Sequence, residues 1–258
     1  MRARDFPYFG SGFCALAHRG GWATGPEVEN SVAAFRSAVD LGYTHLETDV
    51  HATADGVLVA FHDERLDRVT DASGAIAALP ASEVARARIG GREPIPTLDE
   101  LLETFPGTCF NIDIKADAAT LPLARALARH AAQDRVCVGS FNTRRIREFR
   151  RLAGSLVATS VDPMGVVWYA YGVGARRLVR PAGQALQVPV RDEGTGIPIV
   201  KPDFVAAAHR SGCVVHVWTV NEPAEMHRLI ELGVDGLVSD DVLALKAVLA
   251  ERGLWAGG

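Results

Sequence analysis

Residues 45–62 read His45-Leu46-Glu47-Thr48-Asp49-Val50-His51-Ala52-Thr53-Ala54-Asp55-Gly56-Val57-Leu58-Val59-Ala60-Phe61-His62, and the strand count assigned to them decides the fold. Two apolar runs, His45 to Val50 and Val57 to His62, flank Asp55-Gly56, a dipeptide that takes the positive φ angles of a tight hairpin. Seven more strand-like runs lie outward from this pair: Phe13 to His18, Cys109 to Lys115, Arg135 to Ser140, Leu156 to Ser160, Ala185 to Val190, Val214 to Val220 and Gly236 to Ser239. Most are short and apolar throughout, the pattern of parallel strands covered on both faces. Nine strands is one too many for an eight-stranded barrel. If Val57 to His62 turns back antiparallel on its predecessor, eight remain, and 258 residues suit that architecture. The expected fold is therefore α/β: a (β/α)8 TIM barrel with a small insertion after the second strand.

Helical patterns separate the strands. Asn30 or Ser31 caps a run with Val32, Phe35 and Val39 at helical spacing, ended by Gly42, and Thr97 with Glu100 forms a capping box before Leu98, Leu101 and Leu102. Arg144 to Leu152, Pro202 to His209, Pro223 to Leu232 and Asp241 to Arg252 supply later helices. No linker-like run divides the chain, so 1–258 reads as one domain, with 51–96 a hairpin and insertion segment at the barrel mouth.

Hydrophobic residues make up 48% and charged residues 22%, which excludes a disordered chain. Lys and Arg number 27 against 31 Asp and Glu, a net −4, so no global positive field exists for nucleic acid or an anionic membrane. An anionic ligand must meet a local site. No stretch approaches the roughly 18 apolar residues of a membrane span, and the N-terminus lacks a signal-peptide core, so a cytoplasmic protein without an integral membrane segment is expected. Cys14, Cys109, Cys137 and Cys213 form no CxxC pair and read as buried, reduced thiols.

Residues two apart on a strand share a face, so Glu47 and Asp49 point together, as do Asp113 and Lys115. Inward acids near the carboxyl ends of parallel strands are costly to desolvate and repel one another. Two arrangements relieve this: a hard divalent cation held by all-oxygen ligands, or an ion-pair network with Lys115 and Arg19. His18 ends the first strand and His62 ends the hairpin arm; two histidines leaving adjacent strands toward the same acids can divide proton removal and proton donation. His45, His130, His209 and His227 lack such company, and His51 and His216 stay ambiguous. Gly20-Gly21 lacks the further glycines of a dinucleotide fold. Trp168, Tyr169 and Tyr171 read either as packing residues or as the mouth of a site.

The segments His18-Arg19-Gly20, Glu29-Asn30-Ser31 with Ala34-Phe35, Glu47-Thr48-Asp49-Val50 before Asp55-Gly56, and His62-Asp63 with Leu66 and Arg68 together resemble the glycerophosphodiester phosphodiesterases. Pro96-Thr97-Leu98, Asn111 to Lys115, Val217 to Asn221 and Gly233 to Asp240 continue that resemblance in the family's order. It implies a (β/α)8 barrel with a small insertion, and metal-dependent hydrolysis of a small-molecule glycerophosphodiester to glycerol 3-phosphate and an alcohol. It also implies His18 and His62 as catalytic histidines, Glu47, Asp49 and Asp113 as ligands of Mg²⁺ or Ca²⁺, and Arg19, Lys115 and Trp218 as substrate or phosphate contacts. Asp113 stands where the family usually has glutamate, Val28 where proline is usual, and Asp241 where proline is common; Asp241 can sit in the first turn of the last helix. A phospholipase-type lyase releasing a cyclic phosphate, or a phosphodiester-binding protein without catalysis, are the alternatives. The alcohol group, the choice of ion and the oligomeric state are not legible.

Overall fold

The computed structural model describes residues 1–10, 12–172, 181–192 and 194–255. Its strands are β1 (Cys14–His18), β2 (His45–Ala52), β3 (Leu58–Ala60), β4 (Arg88–Ile89), β5 (Glu93–Pro94), β6 (Cys109–Ile114), β7 (Val136–Gly139), β8 (Ala158–Thr159), β9 (Ala185–Pro189), β10 (Val214–Trp218) and β11 (Gly236–Ser239). The helices are α1 (Val32–Asp40), α2 (Ala81–Val84), α3 (Leu98–Thr104), α4 (Thr120–Arg129), α5 (Thr143–Ala153), α6 (Pro163–Tyr171), α7 (Pro202–Ser211), α8 (Pro223–Glu231) and α9 (Val242–Glu251).

Around the barrel the order is β8-β7-β6-β2-β1-β11-β10-β9, with every neighbouring pair parallel. Ser160, just past β8, bridges in parallel to Ala185 of β9 and nearly closes the ring. β3 lies off this path, antiparallel to β2, pairing Val50 with Ala60 and Ala52 with Leu58. The Asp55-Gly56 turn makes this return, with Gly56 at φ 82°. The antiparallel return therefore leaves eight staves, as the sequence implies.

Apolar residues facing out from the strands, among them Leu46, Val50, Phe110 and Ile112, pack under Phe35, Leu101, Leu127 and Phe149 of the helices in one continuous core. Burying each large apolar side chain contributes about 1.5–3 kcal/mol. The opposite end of the barrel is plugged by Ala3, Phe6, Tyr8 and Phe9, which pack on Cys137, Ala158 and Ala185. The insertion carries its own small core of Leu66, Ile76, Val84, Ala87 and Ile89, seated on Val59 and Phe61.

Side-chain caps fix the helix starts. Ser31 Oγ accepts from the Ala34 amide, Thr97 and Glu100 form the reciprocal box, and Asp241 accepts from the Ala244 amide. Asp241 is thus the N-cap residue and not part of the first helical turn. Helices α2, α4 and α6 and the β4–β5 pair are not marked by sequence pattern. In α4, Pro122 stands in the first turn, where its missing N–H costs nothing. In α6 every side chain but Gly165 is apolar or aromatic, so no amphipathic period exists to read. No helix among the described residues is long and apolar enough to cross a membrane.

Candidate active site

At the carboxyl ends of the strands a cavity of about 460 Å³ opens, and all eight residues singled out by sequence line it: His18, Arg19, Glu47, Asp49, His62, Asp113, Lys115 and Trp218. Strand register builds its floor. His18 pairs with Glu47, Glu47 with Asn111, and Asp49 with Asp113, so these side chains stand in adjacent positions. After β1 the chain turns sharply through Arg19, Gly20 and Gly21, with φ of 51°, 90° and 76°. A Cβ at Gly20 would come within 2.7 Å of Ala34, and one at Gly21 within 2.3 Å of Val242. The turn is therefore pressed against α1 and α9, which holds His18 and Arg19 over the floor.

Two imidazole–carboxylate pairs face the cavity. His18 Nδ1 lies 2.6 Å from Asp240 Oδ1, and Asp240 is itself held by Asn221, whose Nδ2 donates to Oδ2 at 2.9 Å. The other His18 nitrogen, Nε2, lies 3.8 Å from Glu47. His62 Nδ1 lies 2.6 Å from Asp63 Oδ1. Arg68 of the insertion then ties Asp63 to Glu29, donating to Asp63 Oδ2 at 2.5 Å and to Glu29 Oε1 at 2.6 Å, and Glu29 accepts in turn from Arg19 at 3.1 Å. Arg68, Asn221 and Asp240 belong to motif segments in the sequence, yet pattern alone assigned them no role.

Lys115 Nζ stands between two acids, 2.9 Å from Asp49 Oδ1 and 2.9 Å from Asp113 Oδ2, and Arg19 Nε lies 3.4 Å from Asp49. The ion-pair network foreseen as one alternative is thus present. Its charges are uneven. Burial raises the Asp49 carboxyl, but Lys115 and Arg19 outweigh it and hold the group below its ordinary value. Burial and the neighbouring Asp49 push Glu47 up to about 7, and burial raises Asp113 against the pull of Lys115. Burial lowers His18, but Glu47 and Asp240 together raise it above its ordinary value.

Among the described residues no three acid, His or Cys groups stand gathered as a ready metal cage. The donor set nonetheless suits a hard cation. Glu47, Asp49 and Asp113 are buried carboxylates, and neither oxygen of Asp113 has a hydrogen-bond partner of good geometry. A carboxylate buried without enough counter-charge is relieved by a divalent ion.

The other histidines fall outside this arrangement. His51 Nε2 lies 3.1 Å from the His62 carbonyl, and His45 lies 2.9 Å from the Tyr8 carbonyl. His216 is buried under Phe9 and burial pushes it down to about 3, so it is neutral. All four cysteines are free, and burial raises each thiol, so they are not nucleophiles.

Residues 18–244 match the glycerophosphoryl diester phosphodiesterase family. A relative in Mycobacterium tuberculosis, named "Probable glycerophosphodiester phosphodiesterase 2", is 39% identical over 257 residues, covering 95% of this chain and 94% of its own. A glycerophosphodiester phosphodiesterase of Caldanaerobacter subterraneus subsp. tengcongensis is 32% identical over 240 residues, covering 88% of this chain and 93% of its own. In fold the chain is similar to a phosphodiesterase of Oleispira antarctica solved with its product sn-glycerol-3-phosphate. That likeness has a TM-score of 0.77, at 24% identity, and covers 92% of this chain and 96% of the other. Barrel, cavity and sequence agree: the chain belongs to the glycerophosphoryl diester phosphodiesterase family and is a phosphoric diester hydrolase.

Proposed function

We propose that this enzyme hydrolyses a glycerophosphodiester to glycerol 3-phosphate and an alcohol, with His18 and His62 moving the protons and Glu47, Asp49 and Asp113 holding Mg²⁺ or Ca²⁺. The observation that carries the reading is the convergence of two carboxylate-pinned histidines, three acids and two cations on one cavity. Family members typically use a divalent metal. When bound, such an ion supplies positive charge that polarises a phosphoryl oxygen and acidifies a nearby hydroxyl.

The chain's own residues do the rest. Arg19 and Lys115 offer charge-assisted hydrogen bonds to the nonbridging phosphate oxygens. Asp240 and Asp63 each engage the Nδ1 of a histidine, which leaves Nε2 of both rings for proton transfer. One imidazole removes the proton of a glycerol hydroxyl as its oxygen attacks phosphorus. The other protonates the departing alkoxide, so the first P–O bond forms as the second breaks. Water then opens the cyclic phosphate, with the two rings exchanging roles and returning to their starting protonation.

The test is a metal-by-substrate panel on the purified chain with release of glycerol 3-phosphate as readout. Turnover with Mg²⁺ or Ca²⁺ that stops on chelation is expected, and full activity after exhaustive EDTA treatment would overturn the metal assignment.

A further inference from the structure

A second cavity, of about 500 Å³, shares no lining residue with the catalytic one. Val190, Val200 and Leu232 give it an apolar floor, and its charged groups are Arg191, Lys201, Arg228 and Glu225. Glu225 is already paired: Arg228 donates to its two oxygens at 2.7 and 2.6 Å. Those bonds outweigh burial and hold Glu225 below its ordinary value, and the charge of Arg191 adds to them, so Arg191 faces the same space. Neither Arg191 nor Lys201 is ion-paired to a carboxylate among the described residues; the one side-chain bond of Arg191 runs to the Gly196 carbonyl at 3.3 Å. Three cations against one carboxylate leave the cavity at +2, on a chain whose net charge is −4. Like charges in one concave space repel, and an apolar floor strengthens the field above it. An anion relieves the repulsion.

The connection between β9 and α7 walls both cavities. Asp192, Gly194 and Ile199 line the catalytic one, whereas Val190, Arg191, Pro198 and Val200 line the second. This loop is folded on itself. Arg191 bridges antiparallel to Pro198, the Asp192 amide donates to the Ile197 carbonyl at 2.9 Å, and the Ile199 amide donates to the Val190 carbonyl at 3.0 Å. Arg191 stands near the start of the loop, and Lys201 stands at its end, as the N-cap residue of α7. Arg228 faces them from α8, with Nη1 left over from its pair with Glu225. A ligand that engages Arg191 and Lys201 together therefore ties the two ends of the loop to each other.

We propose that this second cavity binds a phosphate dianion, free or as a phosphomonoester, between Arg191, Lys201 and Arg228, and that the bound anion steadies the loop that walls the catalytic cavity. The two guanidinium groups and the ammonium group offer charge-assisted hydrogen bonds to the phosphate oxygens. A dianion neutralises the surplus of two charges; a monoanionic diester leaves half of it. On the hydrolase reading above, the substrate is a diester and the product, glycerol 3-phosphate, is a monoester, so the cavity separates product from substrate by charge. The binding itself stands without that reading.

The experiment follows backbone amide chemical shifts and amide hydrogen exchange of the purified full chain at about pH 8, where a phosphomonoester is a dianion. Separate titrations use inorganic phosphate, glycerol 3-phosphate, and sodium chloride at matched ionic strength. The amides of Arg191, Val200, Lys201 and Arg228 should move along one saturating curve, distinct from that of the amides beside His18 and Lys115, and exchange at Asp192 and Ile199 should slow as the cavity fills. Arg191→Gln and Lys201→Gln should each weaken the first curve about tenfold and leave the second in place, whereas Lys201→Arg should retain both. Tighter binding of glycerol 3-phosphate than of phosphate would identify the product as the ligand, and equal affinities the bare phosphate group. Equal shifts with chloride, unchanged phosphate affinity in both glutamine variants, or no slowing of exchange in the loop would overturn the proposal. None of these readouts needs turnover, so a chain inactive on every diester would sink the hydrolase reading alone.

Discussion

His18 and His62 each lose the freedom to choose a tautomer, because a carboxylate 2.6 Å away engages Nδ1. Replacing either imidazole removes a positioned proton-transfer group, so His18→Ala and His62→Ala should each lower kcat by roughly 10²-fold or more. Unchanged thermal melting with lost turnover is the expected pair of results; a folded, fully active His18→Ala enzyme would refute the assignment. Asp113 separates charge from reach. Asp113→Glu keeps the carboxylate and adds a methylene, so metal binding should persist with a changed ion preference. Asp113→Asn keeps the size and removes the charge, and calorimetric titration should show much weaker binding. Equal metal affinity in Asp113→Asn and the unaltered enzyme would make Asp113 a structural residue.

The insertion acts on the site through one side chain. Arg68 donates to both Asp63 oxygens and both Glu29 oxygens, so it fixes the carboxylate that fixes His62 and the one that meets Arg19. A lysine has its donors on a single nitrogen and cannot reach all four of these oxygens as the planar guanidinium does. Arg68→Lys should therefore lower kcat about tenfold or more with a smaller change in KM, and added guanidinium should restore part of the rate in Arg68→Ala. Equal rates in the two variants and the unaltered enzyme would show that the fork is dispensable. The same contacts set a pH dependence. Burial opposes ionisation of Asp63, but Arg68 and His62 outweigh it and bring the carboxyl down to about 2. A carboxyl depressed on folding stabilises the folded state above its unfolded value near ~3.9. That contribution is lost as pH falls through about 2. The difference in urea midpoint between the unaltered enzyme and Asp63→Asn should be constant at neutral pH and shrink below about pH 4; a difference that grows on acidification would contradict this.

Across the whole molecule, stability and chemistry are assigned to opposite ends of the barrel. Phe9 is buried in the plug, 5.0 Å from the Tyr8 ring and 5.9 Å from the His216 ring. Phe9→Ala should cost about 3 kcal/mol, measured as a lower urea midpoint, while kcat measured on the folded enzyme stays unchanged. A matching fall in kcat would show that the plug transmits strain to the site.

Much of this was legible along the chain. The Asp55-Gly56 turn was enough to remove β3 from the barrel, because a tight hairpin can return a strand only antiparallel. Period-2 alternation likewise put Glu47 with Asp49 and Asp113 with Lys115, since facing along a strand depends on the strand alone. Pattern failed where a helix lacked polar contrast, as in α6, or carried a proline inside its first turn, as in α4. It could not choose between a metal site and an ion-pair network, because the position of Lys115 between Asp49 and Asp113 depends on the register of β6 against β2. Nor could it pair His18 with Asp240, 222 residues away, or join the apolar face of α6 to the cavity. Local geometry is encoded in neighbouring residues, so the sequence alone determined the staves and the chemistry they carry. Which charges meet is decided by strands and helices distant in the chain that come together only as the core closes, and that was left to the tertiary structure.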